Sequence, residues 1–287
     1  MKRLAVGLAS GIGDAVYMLP AIKALWLLGH DVALYLQGDY PSIELWRRCR
    51  YAAGGVHDAA SMEVDGREMI GGQWVPAAWK GARLKHRFIL LRPHDCMYES
   101  NMKLAKAYGW AEDPPDVSDW CGDLAQAEKR FDLGFVPGCK GGIWLRKRWP
   151  GMNQVAEHFL EAGKRIAVFG LEGDDVDQVP GEKIDSRNKL GQLPDLLAQC
   201  RVIVSIDGGV GHLASSLGLP VVMIYTATSE VKARPVCKPH IRIFPENLPC
   251  HPCVSKAQWH VCTDWKCRNI DPARVIKAAE QLLGERP

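Results

Sequence analysis

Residues 202–220 read Val202-Ile-Val-Ser-Ile-Asp207-Gly208-Gly209-Val210-Gly-His212-Leu-Ala-Ser-Ser-Leu-Gly-Leu-Pro220. An apolar, β-branched run stops at Asp207 and two glycines, and a helical pattern of small residues follows at once. This order predicts a buried parallel strand that turns sharply into a helix. The first N–H groups of such a helix favour a phosphate or diphosphate, and the glycines allow it to approach closely. A tight joint without any ligand is the alternative interpretation.

A second glycine turn lies near the N-terminus and reads Gly11-Ile-Gly13-Asp14. A strand is expected before it at Leu4–Leu8. After it, apolar residues recur at helical spacing and predict one helix with Asp14 at its N-terminal end: Val16, Leu19, Ile22 and Trp26. An N-cap is the common role of an aspartate at that place. Short-chain dehydrogenases have a similar turn, but no tyrosine of this chain has the lysine four residues later that they need.

Strands and helices alternate through the C-terminal half and predict a doubly wound α/β unit, with ligands at the carboxyl ends of its strands. The expected strands are Asp132–Val136, Arg165–Gly170, Val202–Ile206 and Val221–Ile224, and the expected helices are Met152–Ala162, Leu193–Cys200, Val210–Leu217 and a last one with Asp271 as N-cap and Pro272 first. A further strand is expected at Asp31–Leu36. A composition change near Cys121–Phe131 places the domain boundary there, which gives domains 1–128 and 129–287.

The composition is typical of a globular enzyme. The chain has 287 residues, 47% of them hydrophobic and 24% charged, which is enough for two modest α/β domains. A net charge of +3 is too small to argue for nucleic acid. Without an apolar run of membrane-spanning length or a signal peptide, the cytoplasm is the expected location. A basic group could touch anionic lipid peripherally, although a solvated face is the commoner role: Arg83, Lys85, His86 and Arg87.

Four of the ten cysteines are clustered with the spacing C-x2-C-x8-C-x4-C, namely Cys250, Cys253, Cys262 and Cys267. This segment has little apolar periodicity, and four thiolates around one tetrahedral metal ion would fix it. Such a site leaves no open coordination position, so its role would be structural, and we expect it to lie away from any chemistry. Two disulfides or four free thiols are the alternatives, with metal favoured in a cytosolic protein. The other six cysteines are dispersed and are expected to be packing residues.

Three separated motifs together carry a family resemblance: Gly11-Ile-Gly13-Asp14 with Leu19-Pro20-Ala21-Ile22, then Lys147-Arg148-Trp149-Pro150, then Asp207-Gly-Gly-Val-Gly-His212. In this order they resemble the bacterial heptosyltransferases of glycosyltransferase family 9. The similarity runs along nearly the whole chain and is densest from about Phe135 onward. It implies the GT-B arrangement, in which two Rossmann-like domains face each other across a cleft. It also implies an inverting, metal-independent transfer from an ADP-sugar such as ADP-heptose to a hydroxyl of a lipopolysaccharide-type glycan or a protein.

The resemblance also implies a role for each matching residue. Asp14 matches the base for the acceptor hydroxyl, and Lys147 matches the lysine at the diphosphate. Asp174 matches an acid that binds nucleoside hydroxyls, although a plain loop residue is the alternative. Further contacts with the nucleotide-sugar donor are expected from Gly13, Asp207, Gly208, Gly209, Val210 and His212. For His212 a hydrogen-bonded helix histidine is equally expected, and surface exposure is expected for the flanking Arg146 and Arg148.

Two further features bear on the ligands. Family members that glycosylate autotransporter proteins have an iron-bearing cysteine finger, so iron competes with zinc for the four clustered cysteines. Where the family commonly has Asp-Thr-Gly, this chain has Asp207-Gly208-Gly209, so a hydroxyl that could donate to a phosphate is missing. A non-catalytic nucleotide-sugar-binding protein, or a transferase acting on nucleic acid, remain the alternative functions. The oligomeric state cannot be read from the sequence.

Overall fold

A computed structural model of the protein describes residues 1–8, 11–36, 43–58, 68–70, 96–122, 124, 126–139, 141–170, 174–185, 190–254 and 262–284. The basic group at residues 83–87 therefore lies outside the described residues. The N-terminal half contains β1 (Arg3–Gly7), α1 (Ile12–Val16), α2 (Leu19–Leu27), β2 (Asp31–Leu36), α3 (Ile43–Trp46), β3 (Val56–Asp58), β4 (Glu68–Ile70) and α4 (Met97–Ala107).

The C-terminal half contains β5 (Phe131–Val136), α5 (Met152–Glu161), β6 (Ile166–Gly170), β7 (Glu182–Asp185), α6 (Leu193–Ala198), β8 (Cys200–Ile206), α7 (Gly209–Ser216), β9 (Val221–Ile224), β10 (His240–Ile243) and α8 (Pro272–Leu283). These elements confirm the predicted alternation. The predicted helix to Cys200 ends at Ala198, because Cys200 already pairs with Phe131 as the first residue of β8. Asp271 accepts a hydrogen bond from the backbone N–H of Ala273 at 2.9 Å, which confirms it as the N-cap of α8.

All pairs of neighbouring strands in the two sheets are parallel. The first sheet has the order β3-β2-β1-β4, and the second has the order β10-β9-β8-β5-β6-β7. Counted from β5, the second order is the doubly wound order 3-2-1-4-5-6, so the direction of winding reverses between β5 and β8. Ligands of such sheets bind beyond the carboxyl ends of the strands at this reversal. The glycine turn that follows β8 lies there.

The prediction of one continuous helix after the first glycine turn is wrong, because the chain forms two helices there. The helix α1 ends at Val16 and α2 begins at Leu19, with Pro20 in its first turn. A proline has no N–H to donate, and its ring collides with the carbonyl four residues earlier, which here belongs to Val16. The break leaves Tyr17 in the turn between the helices, where its side chain is buried.

The larger of the buried clusters contains residues of both halves. Trp46 stacks on Trp120 with ring centroids 5.3 Å apart, and the indole N–H of Trp120 donates to Ser216 of α7 at 3.1 Å. A second cluster lies within the C-terminal half, between the sheet and the helices α5 and α8. The division at residues 128 and 129 falls between the sheets and stays a prediction. Within the described ranges, no helix has the length and apolar character needed to cross a bilayer.

Candidate active site

The two glycine turns contact each other. Gly13 lies in α1, and Gly209 is the first residue of α7. A Cβ atom at Gly13 would lie 3.4 Å from Cα of Gly209, and one at Gly209 would lie 3.3 Å from the backbone nitrogen of Gly13. A side chain at Gly209 would press on the opposite backbone and one at Gly13 would just touch it, so the glycines let the two halves meet here.

The start of α7 has the geometry of an anion site. Its N-cap is Gly208, which has no side chain to accept from the first-turn N–H groups. A Cβ atom on Gly208 would lie 3.6 Å from the carbonyl oxygen of Gly138, which follows β5. The turn therefore lies at the reversal between β5 and β8, with the positive end of the α7 dipole beside it.

Lys147 reaches this turn from a short 3₁₀ helix, Gly142–Lys147, which we call the lysine turn. Its ammonium donates to the Oδ2 atom of Asp207 at 3.0 Å and to the Asp207 carbonyl oxygen at 3.2 Å. The Thr226 hydroxyl donates to the Lys147 carbonyl oxygen at 3.0 Å and holds the end of the lysine turn. The Lys147 side chain is 15% exposed and that of Asp207 is 5% exposed. The ammonium is therefore the more accessible charge of the pair, and the more deeply buried carboxylate holds it in place.

A buried hydrogen-bond chain continues from Asp207 to the N-terminal half. His212 Nε2 lies 2.7 Å from Asp207 Oδ1, and the Tyr17 hydroxyl lies 3.0–3.1 Å from both ring nitrogens of His212. Because the Asp207 carboxylate only accepts, the Nε2 atom that faces it carries the proton, and Nδ1 is left to hydrogen-bond with the Tyr17 hydroxyl. Both ring nitrogens are thus used inside the protein. The structure supports the hydrogen-bonded helix histidine more than a direct diphosphate contact.

Tyr17 is not among the site residues predicted from the sequence. Its position three residues after Asp14, about one helical turn further on, was the signal that could have identified it. The chain of contacts keeps Asp207 charged. Burial alone would raise the pKa of Asp207, but the Lys147 charge and the hydrogen bond from His212 outweigh it and hold the pKa well below its usual range. Burial and the Asp207 charge raise the pKa of Tyr17 far above its ordinary value, so its hydroxyl remains a neutral donor.

We expect Asp207→Asn to lower the free energy of unfolding by about 3 kcal/mol at pH 7, because it leaves the Lys147 charge without its buried partner. The folded-state pKa of Asp207 is lowered, so its contribution to stability is complete above the unfolded-state pKa of about 4 and disappears as the pH falls below that value. Urea unfolding at several pH values should therefore show the gap between wild type and variant narrowing below about pH 4.

Asp195→Asn is the control for this experiment, because Asp195 pairs with Arg48 and is 51% exposed. Such a surface pair stabilises by only about 1 kcal/mol or less. A gap for Asp207→Asn that stays constant from pH 7 to pH 3 would contradict the assigned charge state.

Asp14 lies at the surface, beside the contact between the glycine turns. The N-cap of α1 is Gly11, and Asp14 is the third residue of the helix, so the N-cap interpretation is wrong. Its carboxylate folds back toward the start of the helix, where a Cβ atom on Gly11 would lie 2.8 Å from Oδ2. Asp14 is exposed, whereas Asp207 is buried. An exposed carboxylate in this position can accept a proton from a hydroxyl that enters from solvent.

Asp174 packs against the backbone at the end of β5. A Cβ atom on Gly138 would lie only 2.3 Å from its Cγ atom, so the glycine makes room for the carboxylate. Arg148 lies 3.7 Å from Asp174 and 2.8 Å from Asp175, and its side chain is only 17% exposed. The expected surface exposure of Arg148 is therefore wrong, because two carboxylates after β6 pair with it. Gly138 contacts both Asp174 and Gly208 and places them at one edge of the sheet.

All ten cysteines are free thiols, so neither of the two possible disulfides is present. In the part of the chain that the structure describes, no three histidine, cysteine or acidic side chains are close enough together to hold a metal ion. The four clustered cysteines nevertheless share one region. Burial, followed by the charges of Cys253, Cys262 and Cys250, raises the pKa of Cys267 to about 11.

The expectation that this segment lies away from the candidate site is wrong. The backbone N–H of Cys253 donates to the Ala227 carbonyl oxygen at 3.0 Å. Cys253 and Ala227 form a buried pair against which Ile143 and Trp144 of the lysine turn pack. The sequence could not show this contact, because the segment and the lysine turn are far apart along the chain.

Comparison with known proteins identifies relatives of this chain. A family model described as glycosyltransferase family 9 (heptosyltransferase) matches residues 94–262. Lipooligosaccharide heptosyltransferase 2 of Haemophilus ducreyi is 33% identical over 181 residues, which are 56% of this chain and 50% of that protein. The chain thus spans about half the length of this curated relative.

Solved structures share the fold. ADP-heptose LPS heptosyltransferase II of E. coli superposes with a TM-score of 0.69 at 19% identity, covering 99% of this chain and 98% of that one. The dodecameric iron-containing heptosyltransferase TibC of enterotoxigenic E. coli H10407, in complex with ADP-D-beta-D-heptose, superposes with a TM-score of 0.65 at 13% identity, covering 99% and 75%. These likenesses confirm the GT-B fold implied by the resemblance.

Proposed function

The chain belongs to glycosyltransferase family 9, and from this premise we propose that it transfers a sugar from a nucleotide diphosphate donor to an acceptor hydroxyl. The observation that carries the proposal is the chain of contacts Lys147–Asp207–His212–Tyr17, which joins the anion-binding start of α7 to the helix that carries Asp14. It brings a cation, the first-turn N–H groups of α7, which have no side-chain cap, and an exposed carboxylate to the contact between the two halves.

The proposed reaction is a single displacement that inverts the anomeric carbon. The acceptor oxygen attacks that carbon, its proton passes to Asp14, and the bond to the diphosphate oxygen breaks with its electron pair on the diphosphate. Lys147 and the first N–H groups of α7 stabilise the charge that develops there. Two of the three ammonium N–H donors have partners within the described residues, which leaves one for the diphosphate. His212 and Tyr17 orient Asp207 and do not touch the donor.

The proposed donor is an ADP-sugar, with heptose as the sugar. The neighbour TibC is bound to ADP-D-beta-D-heptose, and the E. coli neighbour is an ADP-heptose LPS heptosyltransferase. Asp174, next to the reversal between β5 and β8, is the candidate contact to the ribose hydroxyls. The proposed acceptor is a hydroxyl of a lipopolysaccharide-type glycan or of a protein.

The first test measures the Tm of the protein with ADP, UDP or GDP present at millimolar concentration. The second test measures turnover of ADP-heptose with a lipopolysaccharide-core acceptor. ADP is expected to raise the Tm more than the other two nucleotides. A binder at 100 times its Kd stabilises the folded state by about 2.7 kcal/mol, which such an experiment detects easily. No response to any nucleoside diphosphate would refute the proposal.

We also propose that Cys250, Cys253, Cys262 and Cys267 hold one structural zinc or iron ion. Their spacing supports this, as does the iron-containing neighbour TibC. As placed in the structure the four thiols do not fit a metal, so binding would have to draw them together. No step of the reaction passes through this ion.

Protein purified without chelator or affinity metal is expected to contain ~1 zinc or iron per chain, and a strong chelator is expected to lower its Tm. Elemental analysis with titration of free thiols measures the metal content and the state of the four cysteines, and thermal unfolding with and without the chelator measures the change in Tm. Cys237→Ser serves as the control, because Cys237 is buried elsewhere and should leave the metal content unchanged. Less than about a tenth of an equivalent, with all four thiols titratable, would rule out the site.

A further inference from the structure

The cysteine-rich segment, whose described residues are 250–254 and 262–268, contacts the lysine turn directly. We propose that this segment positions the ammonium of Lys147 for the donor diphosphate by holding Trp144. The inference rests on the proposed function, because it concerns the same donor site. It gives the segment a role in donor binding in addition to the proposed metal site.

The first observation is the contact between Lys147 and Trp144. The ammonium of Lys147 lies 4.8 Å from the centroid of the Trp144 ring, which is the geometry of a cation–π interaction. Asp207 holds the same ammonium at 3.0 Å. A flexible four-carbon side chain is thus located by a carboxylate and an aromatic ring at once. Without the ring, Asp207 would remain, but the lysine would sample more rotamers.

The second observation is that the lysine turn has little support of its own. It is a six-residue 3₁₀ helix with no buried residue and no side-chain N-cap. Runs of 3₁₀ helix longer than three or four residues are uncommon, because their hydrogen bonds are poorly aligned. The position of this turn must therefore be set by what packs against it.

The cysteine-rich segment supplies much of that packing. Cys253 is 7% exposed and forms the buried pair with Ala227 against which Ile143, Trp144 and Cys267 pack. The Cys139 thiol, which follows the carboxyl end of β5, donates to the Trp144 carbonyl oxygen at 3.1 Å. Trp144 is therefore fixed through both its ring and its backbone.

A second contact joins the same two parts of the chain. The guanidinium of Arg146 lies 5.5 Å from the ring centroid of Trp265, and Arg268 lies 5.1 Å from the same ring. Trp265 thus holds the residue just before Lys147. With Thr226 on the Lys147 carbonyl, the turn is held at its middle and at its end.

The test uses ADP as the probe and measures its Kd by calorimetry, or by ligand-observed NMR when binding is weak. Trp144→Leu is expected to weaken ADP binding about fivefold to tenfold, since a cation–π contact that orients a partly buried lysine is lost. Cys253→Ala is expected to act in the same direction by about threefold. The matched controls, which should leave the ADP Kd unchanged, are Trp110→Leu, at a half-buried tryptophan of the N-terminal half, and Cys237→Ala, at a buried cysteine outside the segment.

A double-mutant cycle separates positioning from general destabilisation. If Trp144 acts through Lys147, Trp144→Leu should have almost no further effect on the ADP Kd in a Lys147→Ala background. Equal effects in both backgrounds would overturn the inference, and so would an unchanged Kd for Trp144→Leu in the wild type. Failure of the wild type itself to bind ADP would instead refute the proposed function.

Discussion

Asp14→Asn is expected to lower kcat by about a hundredfold to ten-thousandfold while leaving the Kd of ADP within about twofold of the wild type. The amide fills the same space at the start of α1 but cannot take the proton of the acceptor hydroxyl. Asp14 is exposed and is not part of the buried chain from Lys147 to Tyr17, so the fold should tolerate the change. Initial-rate kinetics with saturating ADP-heptose and calorimetry with ADP measure the two effects separately.

The control for this substitution is Asp31→Asn, which removes another acidic group of the N-terminal half, paired with Arg3 at 3.6 Å. It should leave both kcat and the ADP Kd unchanged. A wild-type kcat for Asp14→Asn would show that another group, or water, accepts the proton. A large loss of ADP binding would show instead that Asp14 shapes the donor site.

Lys147→Ala should weaken ADP binding about tenfold to a hundredfold and lower kcat/KM by about a thousandfold or more. The Lys147 charge meets the diphosphate both in the bound donor and in the transition state, so the affinity for ADP and kcat/KM both fall. Asp14→Asn, by contrast, is expected to leave the affinity for ADP nearly unchanged. The substitution also removes the charge that opposes the desolvation of Asp207, so the pKa of Asp207 should rise. We therefore expect the free energy of unfolding to fall as well, by up to about 3 kcal/mol at neutral pH.

Lys147→Arg distinguishes charge from position, because a guanidinium restores the charge with a different shape. It should recover stability more than turnover. Lys103→Ala, at an exposed lysine of α4, is the control for loss of one positive charge from the molecule. If Lys147→Ala bound ADP as tightly as the wild type, the lysine would serve only to anchor Asp207.

The sequence was sufficient for the local elements that hold the candidate site. The apolar run before Asp207 and the glycines after it predicted β8, the turn and α7 within two residues of their bounds. Short apolar runs that begin close after a glycine or proline have few other local solutions, which is why the bounds of β9, after Pro220, and of β2, after Gly29, were also predicted correctly. The broken N-terminal helix was missed because apolar periodicity outweighed the signal of Pro20.

The contacts between those elements could not be predicted from the sequence. Tyr17 and His212 are 195 residues apart, and only the packing of α1 against α7 brings the hydroxyl to the imidazole. The packing of Trp144 against the buried pair of Ala227 and Cys253 is of the same kind. A ligand-like spacing of cysteines indicates their chemistry, but it says nothing about which surface the segment covers. Arg148 was misjudged for the same reason, since its partners follow a different strand.

The contact between Gly13 and Gly209 would act as a pivot point if the two halves rotated against each other. Any rotation of one half against the other about this point displaces groups in proportion to their distance from it. Asp14, the next residue after Gly13, would then hardly change its position relative to the start of α7, whereas the outer parts of the N-terminal half would sweep through the largest arcs. In the proposed mechanism, a rearrangement in the outer parts of the N-terminal half would therefore leave Asp14 and the start of α7 in nearly the same relative position.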